Sequence, residues 1–274
     1  MSGTGIEGYR EFLAHRDGEA DLLHRRLTNR EEFFESLETD PVRSARAIDR
    51  DLFLRNLRRR RPEPGLSREL LFLLATAKLN QAERFGVDLG DTYGRIGGEG
   101  EPPERVYLAL EEHYHTRLLA YALDIFGLPF QVVVPPLVMR QFVKMEVFLP
   151  ERIGFVFVGA AEMAGCIMFD ELRRVGVELF ADEPDVSARI ERLYTEILTD
   201  ELGHVGYCAA RCSSAERTLM RWLYPRFARL FARQTAEISL LIDRDKLPAR
   251  LDRPFDVEGL VAGVPNETFL AARP

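Results

Sequence analysis

An acid, a glutamate and, three positions later, a histidine occur twice in this chain, as Glu111-Glu112-His113-Tyr114-His115 and as Asp200-Glu201-Leu202-Gly203-His204. On a helix, positions i and i+3 share a face about one turn apart, so the glutamate and histidine of each string can converge on one point. Both strings lie inside long segments of helical periodicity. Two such helices facing each other across a core would bring two carboxylates and two imidazoles together, which is a donor set for two metal ions. Imidazole plus carboxylate suits iron or manganese better than magnesium or calcium.

The surrounding pattern is helical throughout. Residues 1–65 are mostly polar and basic, with short amphipathic pieces at Arg30 to Leu37 and Pro41 to Arg60, and end in Arg61-Pro62-Glu63-Pro64-Gly65. They read as a helical N-terminal extension. Ser67 is a candidate N-cap for a helix to about Phe85, and a Gly-rich loop then runs from Gly86 to Pro103. Further helices are expected at about 104–126, 135–149, 151–177 and 182–211. Ser213-Ser214-Ala215-Glu216 has the form of a capping box for a last long helix ending near Asp243. Long helical patterns with short loops predict an all-α helix bundle over 66–245, with 246–274 as a tail packed on the surface.

A chain of 274 residues, 46% hydrophobic, can bury a sizeable core. Its formal net charge of −7 argues against a general nucleic-acid binder, despite the basic run Arg55 to Arg61. No secretory signal and no uninterrupted apolar stretch of the roughly 18–20 residues a membrane span needs is read here, so the expected location is cytoplasmic, with no membrane partner. Cys166, Cys208 and Cys212 form no CxxC pair and are expected to be reduced.

Carboxylate-bridged bundles also take one glutamate from each of two further helices. Glu83 is the candidate before the first string, with Glu69 as its competitor. Glu162 is the candidate between the two strings, because an unpaired carboxylate among Val158, Gly159, Ala160, Ala161 and Gly165 would cost several kcal/mol to bury. Glu171 competes with it, but Asp170, Arg173 and Arg174 suggest a wet face there. A metal-bound histidine usually gives its other N–H to a carboxylate. Glu111 and Asp200 are placed to be those partners, each for the histidine of the opposite helix.

The order Glu83, Glu112/His115, Glu162, Glu201/His204 resembles that of the ferritin-like di-iron carboxylate superfamily, and the likeness spans residues 83 to 204. It implies a ferritin-like bundle holding two iron ions, with manganese as the alternative in one or both sites, and O2 or peroxide activation there. Departures narrow it. Leu119 stands where the radical-generating reductase subunits carry a tyrosine, and Ile197 stands where arylamine N-oxygenases carry an extra histidine ligand. The CxxC module of rubrerythrins is missing.

What remains is a non-haem di-iron oxygenase that oxidises a small organic substrate by hydroxylation, N-oxygenation or a related reaction. A ferroxidase or peroxide-scavenging protein without an organic substrate is the alternative. Gly159, Ala161 and Gly165 would leave room beside the metals for a substrate, and Cys166 and Thr116 would face that space as candidate catalytic groups. In the monooxygenase hydroxylases, a hydroxyl-bearing side chain in the place of Cys166 is thought to assist proton delivery. With no ferredoxin cysteine set or dinucleotide fingerprint in the chain, electrons are expected from an external reductase or ferredoxin. Monomer and homodimer both stay open.

Overall fold

The computed structural model describes residues 9–10, 13–14, 22–92, 103–131, 135–242, 246–251, 255 and 260. Among them no strand occurs, and ten helices follow in order. These are α1 (Leu22–Thr39), α2 (Arg50–Leu57), α3 (Arg68–Thr92), α4 (Pro103–Asp124), α5 (Leu137–Phe148), α6 (Glu151–Leu179), α7 (Pro184–Ala210), α8 (Ser214–Gln234), α9 (Ala236–Leu241) and α10 (Lys246–Leu251). The fold is all-α.

Helices α3, α4, α7 and α6 close a ring in which α3 packs on α4, α4 on α7, α7 on α6 and α6 back on α3. The core lies inside that ring, with Leu73, Leu74, Leu118, Ala160, Ala164, Ile197 and Leu198 among its fully buried members. Around the ring, α1 lies on α4, α2 on α3, α5 on α3 and α6, α8 on α6, and α9 on α3 and α8.

Local chemistry sets several boundaries. The Ser67 hydroxyl accepts from the amide of Leu70, as an N-cap should. Ser213 and Glu216 form a reciprocal capping box. Gly127, at φ +63°, turns the chain out of α4, a conformation that costs glycine nothing.

Three expected boundaries move. The segment expected to be helical from Pro41 onward is non-helical until Asp49, whose side chain caps α2 by accepting from the amide of Leu52 at 2.9 Å. Arg46 holds this irregular stretch down by pairing with Glu69, Asp182 and Glu183. Helix α3 continues through Gly86, where a loop was expected, as far as Thr92; residues 93–102 of that loop lie outside the described residues. The last long helix stops at Gln234, because Thr235 leaves the helical region at φ −105° and ψ 84°, and α9 begins after it.

Helix α6 also departs from expectation. Ile153–Leu179 is long and apolar enough to cross a membrane by length and composition, yet 67% of its most apolar window is buried within the bundle. Its glycines explain how neighbours come so close. A Cβ on Gly159 would lie 2.6 Å from Met220 Cε and 2.9 Å from Cys208 Cβ, and one on Gly176 would lie 2.8 Å from Ile190 Cγ2.

Candidate metal centre

Helices α4 and α7 bring the two strings face to face. The His115 and His204 rings stand 5.5 Å apart between centroids. Each histidine directs Nδ1 toward the carboxylates and Nε2 away from them. Glu112 offers Oε1 to His204 Nδ1 at 3.0 Å and Oε2 to His115 Nδ1 at 3.8 Å. Glu201 does the converse, with Oε1 3.3 Å from His115 Nδ1 and Oε2 3.9 Å from His204 Nδ1.

Each glutamate therefore presents one oxygen to each imidazole. From sequence, a Glu and His of one string were expected to converge on one point. The structure instead puts each histidine nearer the glutamate of the opposite helix.

Glu83 from α3 and Glu162 from α6 complete the set. Ligand atoms of Glu83, His115 and Glu201 lie within 4.8 Å of one another, and so do those of Glu112, Glu162 and His204. These two buried Glu/His triads could each hold a metal ion. Charge supports the fit, since four carboxylates and two neutral imidazoles balance two divalent cations. So does the hydrogen bonding: His115 Nδ1 and Glu201 Oε2 are buried with no hydrogen-bond partner. Buried polar atoms left unsatisfied cost about 1–3 kcal/mol each, a cost that a coordinated cation removes.

The close packing of these groups shifts the pKa values of Glu83, Glu112, Glu162, Glu201 and His204. Burial, then the charges of Glu112 and Glu201, pushes Glu83 well above the usual carboxylate range. Burial and then Glu201 do the same to Glu162. Glu201 is pushed up to about 7, chiefly by burial. Glu112 moves the other way: burial opposes its ionisation, but the hydrogen bond and charge of His204 outweigh that. Burial also works against a charged His204, yet its bonds to Glu111 and Glu112 hold its pKa well above the ordinary histidine value.

The acids that precede the motif glutamates sit behind the rings, and each crosses to the opposite helix. His115 Nε2 lies 3.1 Å from Asp200 Oδ2, and His204 Nε2 lies 3.1 Å from Glu111 Oε2. An ionised carboxylate only accepts, so each favours a proton on Nε2, and a metal binding at Nδ1 would displace any proton there.

Behind these acids stand two arginines that sequence reasoning missed. Arg26 donates to Glu111 at 2.6 Å and to Asp200, while Arg30 donates to Asp200 and, at 3.1 Å, to Glu196. Both are buried. They are four residues apart on α1 and so share a face. That face meets one face of α4, where Arg26 lies over the Tyr107 ring and Arg30 over the Tyr114 ring, at 5.6 and 5.3 Å. The available signal was Arg26 and Arg30 at i, i+4 in a segment expected to be a helical N-terminal extension packed on the main body, an expectation that named no residue as reaching the centre.

The remaining candidates fall differently. Glu69 is bound to Arg46, away from the cluster. Glu171 pairs with Arg250 of α10. Its neighbour Asp170 is fully buried, held by Arg173, Arg174 and Arg250. This is an ion-pair cluster rather than the wet face expected. The Thr116 hydroxyl donates to the His113 carbonyl of its own helix at 2.8 Å. Cys166 is fully buried, and burial followed by Glu201 and Glu162 raises its thiol well above the ordinary value.

A cavity of about 640 Å³ opens onto the cluster, with Glu83, Glu112, Glu162 and Glu201 in its wall. Ala161 and Gly165 line it, as expected; Gly159, Thr116 and Cys166 do not. Gly159 serves helix contact, as its close approach to Met220 shows. At Gly165 a Cβ would meet only Glu201 Oε2, at 3.9 Å, so the missing side chain leaves room beside that carboxylate. Comparison with protein-family models, with curated proteins and with solved structures gave no match, so the centre is read from its geometry alone.

Proposed function

We propose that this chain is a ferritin-like, non-haem di-iron oxygenase that activates O2 to oxidise a small organic molecule, with manganese as the alternative metal in one or both positions. The observation that carries the reading is the pair of Glu/His triads opening onto a cavity of about 640 Å³. A site for metal storage or peroxide removal needs no such space, whereas organic ligands occupy pockets of roughly 300–1,000 Å³. The cavity therefore favours an organic substrate over the ferroxidase alternative.

In this reading Glu83, Glu112, His115, Glu162, Glu201 and His204 would hold two metals, and Glu112 and Glu201 each offer one oxygen to each histidine's side. The bound metals supply the O2 chemistry that side chains lack. The chain's own part is to hold His115 and His204 in one tautomer through Asp200 and Glu111 and to shield the centre inside the four-helix ring. Electrons come from an external donor, a reductase or a ferredoxin.

The test is anaerobic Fe(II) loading of the full chain, followed by O2 exposure with and without candidate amines, aldehydes and aromatic acids. Two irons per chain and substrate-dependent O2 uptake with an oxidised organic product are expected. Iron uptake with turnover that no organic compound alters would replace the oxygenase reading with the ferroxidase one. Failure to bind iron or manganese would remove both.

A further inference from the structure

We propose that the cavity takes an amphipathic anion, its anionic head held at the mouth by Arg58 and Arg60 and its apolar body running down to the four glutamates. This rests on the oxygenase reading and names the class of its substrate.

The charged residues of the cavity wall are segregated. All four acids, Glu83, Glu112, Glu162 and Glu201, belong to the metal cluster. The other four charged residues, Arg58, Arg59, Arg60 and Lys78, are all basic. The three arginines are exposed, which sets them at the solvent end. Between the two ends the wall is mainly apolar, with Leu79, Val87, Phe142, Val143 and Phe231.

Two of the four cations are already engaged. Arg59 pairs with Glu63 at 3.0 Å, and Lys78 pairs with the buried Glu237 at 2.5 Å. Arg58 and Arg60 make no ion pair among the described residues. In a chain of net charge −7, a mouth that keeps Arg58 and Arg60 exposed and outside those pairs is locally positive and favours an anion there.

At the inner end, two divalent cations would neutralise the four carboxylates, so a second charged group on the substrate would gain nothing there. An uncharged, oxidisable carbon end fits it better. The cavity thus distinguishes its two ends by charge, and it predicts a head-out, tail-in orientation.

The head is a carboxylate or a phosphate ester, and the test separates them. The full-length chain is loaded with redox-inert Zn(II), and its stoichiometry is recorded. Binding of decanoate, decyl phosphate, decanol and decylammonium is then measured by calorimetry. Decanoate or decyl phosphate should bind about 10-fold tighter than decanol, and the tighter of the two names the head. R58Q/R60Q, a change at two exposed positions, should remove that preference while leaving decanol binding unchanged. Raised salt should weaken the anion alone.

Equal binding of anion and alcohol, preference for decylammonium, no binding of either anion, or an anion preference that survives R58Q/R60Q would each overturn the proposal. A Zn(II) stoichiometry near two with any of those results leaves the metal reading standing. Failure to take up Zn(II) would count against the metal reading itself.

Discussion

Asp200→Asn separates the support of the metal centre from the centre itself. Asp200 is fully buried, and its carboxylate meets His115, Arg26 and Arg30. The amide keeps the shape and one accepting oxygen but loses the charge. Breaking a buried pair by removing one partner costs about 3–5 kcal/mol, because the other charge is left uncompensated. Arg26 keeps Glu111, and Arg30 keeps the part-exposed Glu196, so the lower end of that range applies. At about 2–4 °C per kcal/mol for a domain of roughly 150–250 residues, the melting temperature should fall by about 10 °C. Within the fraction still folded, affinity for Zn(II) or Fe(II), measured by chelator competition, should drop about 10- to 100-fold, because His115 loses the acceptor that fixes its tautomer. Glu196→Gln is the control. It pairs with Arg30 near the surface, so it should cost at most about 1 kcal/mol and leave metal affinity alone. Wild-type metal affinity in Asp200→Asn, or an equal loss in Glu196→Gln, would refute the positioning role.

Three further outcomes are expected. Glu162→Ala should lose one metal as read by elemental analysis, whereas Glu171→Ala, which breaks a pair with Arg250, should keep both; the reverse result would reassign the α6 ligand. Because the pKa values of Glu83, Glu162 and Glu201 are raised in the fold, their contribution to the stability of metal-free protein is full below about pH 4.5 and is lost as pH rises through the folded value, about 7 for Glu201. Melting of the metal-free chain should therefore fall between pH 5 and 8, while metal binding at neutral pH releases protons detectable in weak buffer; a flat profile with no proton release would contradict the buried cluster. Gly159→Ala forces a methyl against Met220 and Cys208 and should destabilise by about 1–3 kcal/mol in thermal melts, with Met220→Ala recovering part of it; an unaffected melt would mean α6 and α8 are less closely packed.

What the sequence revealed depended on the range of each interaction. Caps at Ser67 and Ser213 and the i, i+3 spacing of both Glu-x-x-His strings are local, so the helices and their inward faces could be read directly. Glu162 was reachable because a mid-helix carboxylate among small apolar residues demands a partner, and Glu83 because it stands one loop before the first string, where an antiparallel neighbour can supply it. The sharing of Glu112 and Glu201 between both histidines was not reachable, since it depends on how α4 and α7 meet. Thr116 misled for a related reason: a threonine hydroxyl has its own helix's carbonyls as an alternative partner, and here it takes that of His113.

The arginines of α1 show the same limit at longer range and give the N-terminal helix a reason to dock. Glu111 and Asp200 are two buried carboxyl groups beside four others, and like charges so close would repel one another strongly in a low-dielectric core. Arg26 and Arg30 supply two positive charges against those two negative ones, and stacking on Tyr107 and Tyr114 fixes where they sit. The outer pair of acids is thus neutralised by the chain itself, 85 or more residues away in sequence. The inner four are left for cations from solution. If a metal binds, only the inner layer would change charge, and the histidines would keep their orientation because Asp200 and Glu111 hold them from behind.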